Sequence, residues 1–129
     1  MAIRIVRLGA PRAHDEGLRL GTVRRPPRGV PKAQLAVRDF YDVWVPEAAP
    51  SELLLKAARQ SIDDAARWKT FVRRYRAEMK RPESGRLLDL LAALSHRTDF
   101  SVGCYCANEA RCHRSILRAL LEERGATLI

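Results

Sequence analysis

The chain opens with Ile3 and Ile5 alternating with Arg4 and Arg7 toward Leu8, the period-two pattern of a strand with one buried face. A polar turn region from Pro11 to Gly17 follows. Leu18, Leu20 and Thr22–Val23 then predict a second strand ending at Arg24. Phe40, Val43 and Val45, with Tyr41 and Trp44 interleaved, form a short aromatic segment, either a strand or a packed loop, which Pro46 to Pro50 ends.

From there the period becomes helical. Ser51 is a good N-cap, with Glu52 where the helix dipole favours an acid, ahead of Leu53-Leu54-Leu55. Ser61 is the next expected cap, with Asp63 and Asp64 in the first turn. Ala65, Trp68, Phe71 or Val72, Tyr75 and Met79 then mark a long amphipathic helix ending before Pro82. Its other face carries Arg67, Lys69, Arg73, Arg74, Arg76 and Lys80. Aromatic residues at that spacing are read as core. Pro82-Glu83-Ser84 starts a third helix that buries Leu87, Leu88, Leu90, Leu91 and Leu94, and His96 to Asp99 is the turn out.

Phe100, Val102 and Cys104 predict a short apolar strand, placed centrally in its sheet. A last helix buries Ile116, Leu117, Leu120 and Leu121, with Gly125 as its left-handed stop and Thr127 to Ile129 as a short final strand. This order predicts an α/β layered domain of Rossmann-like class, with a largely parallel sheet of four to five strands flanked by helices. In such sheets ligands bind beyond the carboxyl ends of the strands.

Composition narrows the class. The 129 residues suit one domain with a real core, and no apolar run approaches the roughly 20 residues of a membrane helix. Met1 leads straight into the strand pattern, so no secretory signal is expected and the cytoplasm is the default. The net charge is +9, and only Lys32, Lys56, Lys69 and Lys80 among 24 basic residues are lysine. Arginine's planar fork suits phosphate and carboxylate, so an anionic partner such as a nucleotide or nucleic acid is expected. Against this stands a simpler reading, in which the charges only coat solvated faces. The segment from Arg24 to Pro31 is a stiff, proline-bearing loop presenting Arg24, Arg25 and Arg28, able to grip an anion or to serve merely as a basic connector.

All three cysteines fall in Cys104 to Arg114, reading CYCANEARCHR, between the predicted central strand and the last helix. An odd count without a secretory signal argues for reduced thiols. With Asn108 as N-cap, Arg111, Cys112, His113 and Arg114 fall in or near the first turn. The helix field and these cations would then make Cys112 a thiolate, and Cys106 would share that field. Three readings stay open. One is thiol or phosphoester chemistry with Cys106 or Cys112 as nucleophile and His113 or Glu109 as proton carrier. The run from Cys106 to Arg111 has the length of a rhodanese-type loop, without the glycine such loops carry. The second is a zinc site from Cys104, Cys106, Cys112 and His113, whose spacing is not the usual pair of two-residue gaps. The third treats the thiols as structural, around an anion-binding loop.

The cysteine, short polar loop and Cys-His-Arg at a helix start resemble the YeaO-like family, domain of unknown function 488. IRIVRL at the start, PRGV at Pro27 to Val30, APSEL at Ala49 to Leu53 and DAARWKTFVRRYRAEM at Asp64 to Met79 are also similar to that family's pattern. Where family loops carry Asp-Arg-Leu-Trp, this chain has Val23, Arg24, Arg25 and Pro26, which removes any carboxylate role at Val23. The Cys-His-Arg places it with sister branches of YeaO. The resemblance implies a small Rossmann-like α/β fold and leaves the biochemistry undetermined. It implies a pocket at Arg24, Arg28, Cys106, Cys112, His113 and Arg114, to which the residue reading adds Arg111. The expectation is a small cytoplasmic enzyme acting on a nucleotide, nucleic acid or other phosphate-bearing substrate. The alternatives are a non-catalytic nucleic-acid or nucleotide-binding module and a Cys/His metal-binding domain.

Overall fold

The computed structural model describes residues 1–59, 64–108 and 112–129. Its strands are β1 (Ile3–Arg7), β2 (Leu18–Gly21), β3 (Val43–Trp44) and β4 (Phe100–Cys104). Its helices are α1 (Glu52–Arg59), α2 (Ala65–Glu78), α3 (Pro82–Leu94) and α4 (His113–Glu123). The four strands form one sheet in the order β1-β4-β2-β3, with every pairing parallel. This is the expected α/β layered, Rossmann-like architecture. β4 pairs on both sides and all of its residues are buried, as a short apolar strand at the sheet centre should be.

Ile3, Leu20, Phe100 and Val102 turn one sheet face toward the helices. There they meet Leu54 of α1, Phe71 and Tyr75 of α2, Leu88 and Leu91 of α3, and Ile116, Leu117, Leu120 and Leu121 of α4. The aromatic spacing of α2 is thus core, with Trp68 and Phe71 stacked at 5.1 Å. A second apolar cluster joins Leu8, Val23, Leu35 and Tyr41 to Cys104 and Cys112.

Several elements differ from the pattern reading. β2 stops at Gly21, leaving Thr22 and Val23 beyond it. Within β2, Leu18 is exposed and Arg19 is buried. The Arg19 guanidinium meets the Glu16 carboxylate through two contacts, at 2.7 and 2.9 Å, and donates to the carbonyls of Ala10 and Asp39. Ser101 donates a further bond to Glu16 at 2.7 Å. A full set of partners is what allows a charge to sit in the core. β3 is a two-residue edge strand whose side chains are exposed, and the final strand reduces to a single bridge between Ile3 and Leu128. Leu90 and Leu94 are exposed, because the buried stripe of α3 runs through Ser84, Leu88, Leu91 and Ala92.

The helix starts follow capping chemistry. The Ser51 hydroxyl accepts from the Leu54 amide at 3.4 Å, and its own amide and hydroxyl bond the Glu78 carboxylate. Asp64 caps α2 rather than lying in its first turn, accepting from the amides of Ala66 and Arg67. The cap expected at Ser61 lies outside the described residues. Pro82 opens α3 at its first position. At Gly17, φ is +76° and a Cβ would stand 2.0 Å from the Asp99 carbonyl oxygen, so the turn into β2 needs glycine. Among the described residues, no helix is long and apolar enough to cross a membrane.

Candidate thiol site at the end of the central strand

β4 delivers Cys104 at its last position, and the chain passes through Tyr105 and Cys106 before returning at Cys112 to begin α4. Cys112, not Asn108, holds the N-cap position of α4, so His113 and Arg114 open its first turn. Glu109 and Arg111 lie outside the described residues. The Sγ atoms of Cys104, Cys106 and Cys112 all lie within 4.8 Å of one another. Those of Cys104 and Cys112 are 2.7 Å apart, and all three thiols are free. Cys104 and Cys112 are buried, whereas Cys106 is exposed.

That difference decides which sulfur carries charge. Cys106 is held well below the ordinary thiol range, first by its interactions with the Cys104 and Cys112 thiols and then by the positive charge of the nearby Arg114, against the opposing effect of burial. Cys104 is pushed up by its interactions with the neighbouring Cys106 and Cys112 sulfurs and by burial. At Cys112 the bond from Cys104 lowers the pKa, but the bond toward Cys106 and burial outweigh it, and the net direction is up. Of the two sulfurs expected to carry charge, Cys106 is shifted toward the thiolate and Cys112 away from it. Only Cys106 of that pair is exposed.

His113 is buried, and its Nε2 lies 2.7 Å from the Thr22 carbonyl. A carbonyl can only accept, so Nε2 carries the proton and Nδ1 presents a lone pair. Nδ1 lies 3.7 Å from the Cys112 sulfur. Burial lowers the pKa of His113, which the bond to Thr22 only partly offsets. Tyr75 of α2 meets the imidazole edge-on at 5.8 Å while donating to the Ala48 carbonyl at 2.6 Å. His113 thus faces Cys112 and the core. Arg114 is also buried and donates from Nη2 to the Cys106 carbonyl, which fixes the turn that presents the thiolate.

The arginine loop divides. Arg24 donates to the carbonyls of Pro50 and Ala49, and Arg25 pairs with Glu52 at 2.6 Å. Arg28 is exposed and, among the described residues, forms no hydrogen bond or ion pair. The loop still borders the cysteines, since Tyr105 donates to the Arg25 carbonyl at 2.9 Å. Three groups at this site were not singled out from the pattern. Tyr105 was passed over between two cysteines. Thr22 contributes a backbone carbonyl, which no side chain advertises. Arg7, at the end of β1, donates to the Tyr105 carbonyl at 3.2 Å. An open groove of about 350 Å³ lies over the other side of β1, lined by Arg4, Arg7, Glu16 and Arg19. The mutual pairing of Arg19 and Glu16 neutralises its floor.

A parallel α/β sheet with an exposed thiol at the carboxyl end of its central strand, backed by two buried thiols and the start of a helix, defines the structural class. The chain belongs to DUF488-N3a, described as the active DUF488-N3 subclade, whose family model matches residues 3–125. No curated protein and no solved structure matches it.

Proposed function

We propose that the chain is a small enzyme whose Cys106 thiolate attacks a phosphate-bearing substrate, a nucleotide or nucleic-acid fragment. The observation that supports this is the exposed Cys106 sulfur, with Cys104 and Cys112 buried behind it. The two buried thiols lie within 4.8 Å of the Cys106 sulfur, which stays exposed to an incoming substrate. In the simplest course an S–P bond forms as the P–O bond to the leaving group breaks, and that oxygen takes a proton from water. Water then cleaves the thiophosphate and restores the thiolate. Arg114 holds the Cys106 turn, and Arg28 is the loop cation left to meet the substrate's phosphate. Free thiols at all three cysteines fit a reducing compartment, and we assign the cytoplasm.

Turnover of a panel of nucleotides and aryl phosphates is the test. Cys106→Ser should abolish any activity found, by about 10³-fold or more, while Arg28→Gln should mainly raise KM. Full activity in Cys106→Ser would overturn the reading.

A second reading has its own observation: three sulfurs in mutual reach, beside a histidine whose Nε2–H is held by a carbonyl, are a donor set zinc accepts. Protein purified without chelator and analysed for metal separates the two. One zinc per chain, lost together with thermal stability on chelation, would favour the metal reading over the nucleophile.

A further inference from the structure

The outer face of α2 carries a dense run of cations. Elsewhere several arginines are matched to acids, as in Arg4 with Asp15, Arg12 with Asp42 and Arg124 with Asp89, and cations without an ion pair to a described residue, such as Arg28, Arg86 and Arg97, lie apart from one another in sequence. On α2 and the turn after it, Lys69, Arg73, Arg74, Lys80 and Arg81 are exposed and form no ion pair with any described residue. No acidic residue occurs between Ala65 and Ala77, and Glu78 is engaged with Ser51. Arg76 alone on that stretch reaches across to α4, pairing with Glu123.

The inner face of α2 is anchored in the core. Phe71 and Tyr75 are buried on the inner face, and Tyr75 packs against His113 of the thiol site. Lys69 and Arg73 stand two residues from those rings, about 200° around the helix, so they point directly away from the core. From Lys69 to the end of α2 at Glu78 the helix rises about 14 Å at 1.5 Å per residue, with Lys80 and Arg81 in the turn beyond it. That length matches about four phosphates of one duplex strand, spaced roughly 3.4 Å apart along the axis. A point anion would use one or two of these cations, whereas a polyanion uses the row.

We propose that the outer face of α2 is a docking surface for the phosphodiester backbone of a nucleic acid, and that the thiol site acts on such a chain rather than on a free nucleotide. The second half rests on the proposed function. The first does not, because docking requires no turnover.

The two are kept apart by measuring binding with Cys106→Ser. The probes are fluorescein-labelled single-stranded RNA, single-stranded DNA and duplex DNA of about 20 units, followed by anisotropy from low to moderate salt. At least one should bind with an affinity that falls with salt at a logarithmic slope near −4, for about four phosphates contacted. Joint substitution of Lys69→Gln, Arg73→Gln and Arg74→Gln should reduce the magnitude of that slope by about 2 to 3 and weaken binding about tenfold or more. A control removing equal charge elsewhere, Lys32→Gln, Arg86→Gln and Arg97→Gln, should change the slope by less than about one. All six side chains are exposed, so each variant should keep the parent's thermal midpoint.

Equal losses in the two triple variants would overturn the surface assignment, leaving only diffuse charge. No binding by any of the three probes would overturn it as well, and so would binding to anionic phosphatidylserine vesicles in their place. Loss of all catalysis in Cys106→Ser with α2-dependent binding retained supports both proposals. Binding that depends on α2 in a protein with no thiol-dependent activity supports docking and removes the enzyme.

Discussion

Cys106 differs from its two neighbours by exposure, and that difference is measurable. A thiol of ordinary pKa near 8.5 alkylates about 80-fold faster at about pH 8 than at about pH 6. With its pKa held well below that value, Cys106 should react with iodoacetamide, as followed by peptide mass mapping, at a rate that changes less than about twofold across that window. Cys104 and Cys112 should stay unmodified until the protein unfolds, being buried and protonated. His113 predicts a second pH effect. Its native pKa is lowered, so below about pH 6.5 the unfolded chain takes up a proton that the native state refuses. The unfolded state then binds more protons, and stability falls with falling pH. Cys106 acts in the same direction from the free-thiol value downward. Denaturant midpoints measured from about pH 8 to about pH 5 should therefore decline, and the decline should be smaller in His113→Phe, which has nothing to titrate. A flat profile in the parent would show that neither group keeps its shifted state.

At the scale of elements, β4 and the start of α4 carry the site, and close packing at Gly103 holds them in place. A Cβ there would lie 2.5 Å from the Val6 carbonyl oxygen and 2.9 Å from the Leu8 side chain. The backbone partner cannot rotate away, so Gly103→Ala must separate β1 from β4 or shift β4 along its register. A cost of more than about 2 kcal/mol is expected, read from urea denaturation, with faster alkylation of Cys104 as the strand end loosens. If Gly103→Ala unfolds at the parent's midpoint, the close approach is not a constraint. The helices were legible at this scale because their apolar period is long and their caps are chemical: Ser51, Pro82 and Gly125 were all readable. The cysteine loop was harder. An N-cap at Asn108 satisfied the local rules, but the backbone extends at Cys112 and α4 begins one residue later. The Arg24 to Arg28 loop was legible as basic, yet only tertiary contacts show that Pro50, Ala49 and Glu52 absorb two of its arginines.

Across the whole molecule, the buried Arg19–Glu16 pair fastens loops onto the sheet face that the helices do not cover. Arg19 reaches Ala10 and Asp39, and Glu16 takes Ser101 of the central strand. Removing one partner strands the other, so Arg19→Met should cost about 3–5 kcal/mol in chemical denaturation. Joining it with Glu16→Leu should recover much of that loss, because two apolar groups leave no unpaired charge. An additive double variant would mean that the two ions are not coupled. The order and type of the elements, the central place of β4 and the position of the thiols after it were determined by the sequence, because periodicity, caps and chain order act locally. Which thiol is exposed, which loop arginines are engaged and why Arg19 is inside were decided only by the tertiary structure. Those outcomes depend on desolvation and on partners tens of residues away, such as Thr22 for His113 and Pro50 for Arg24.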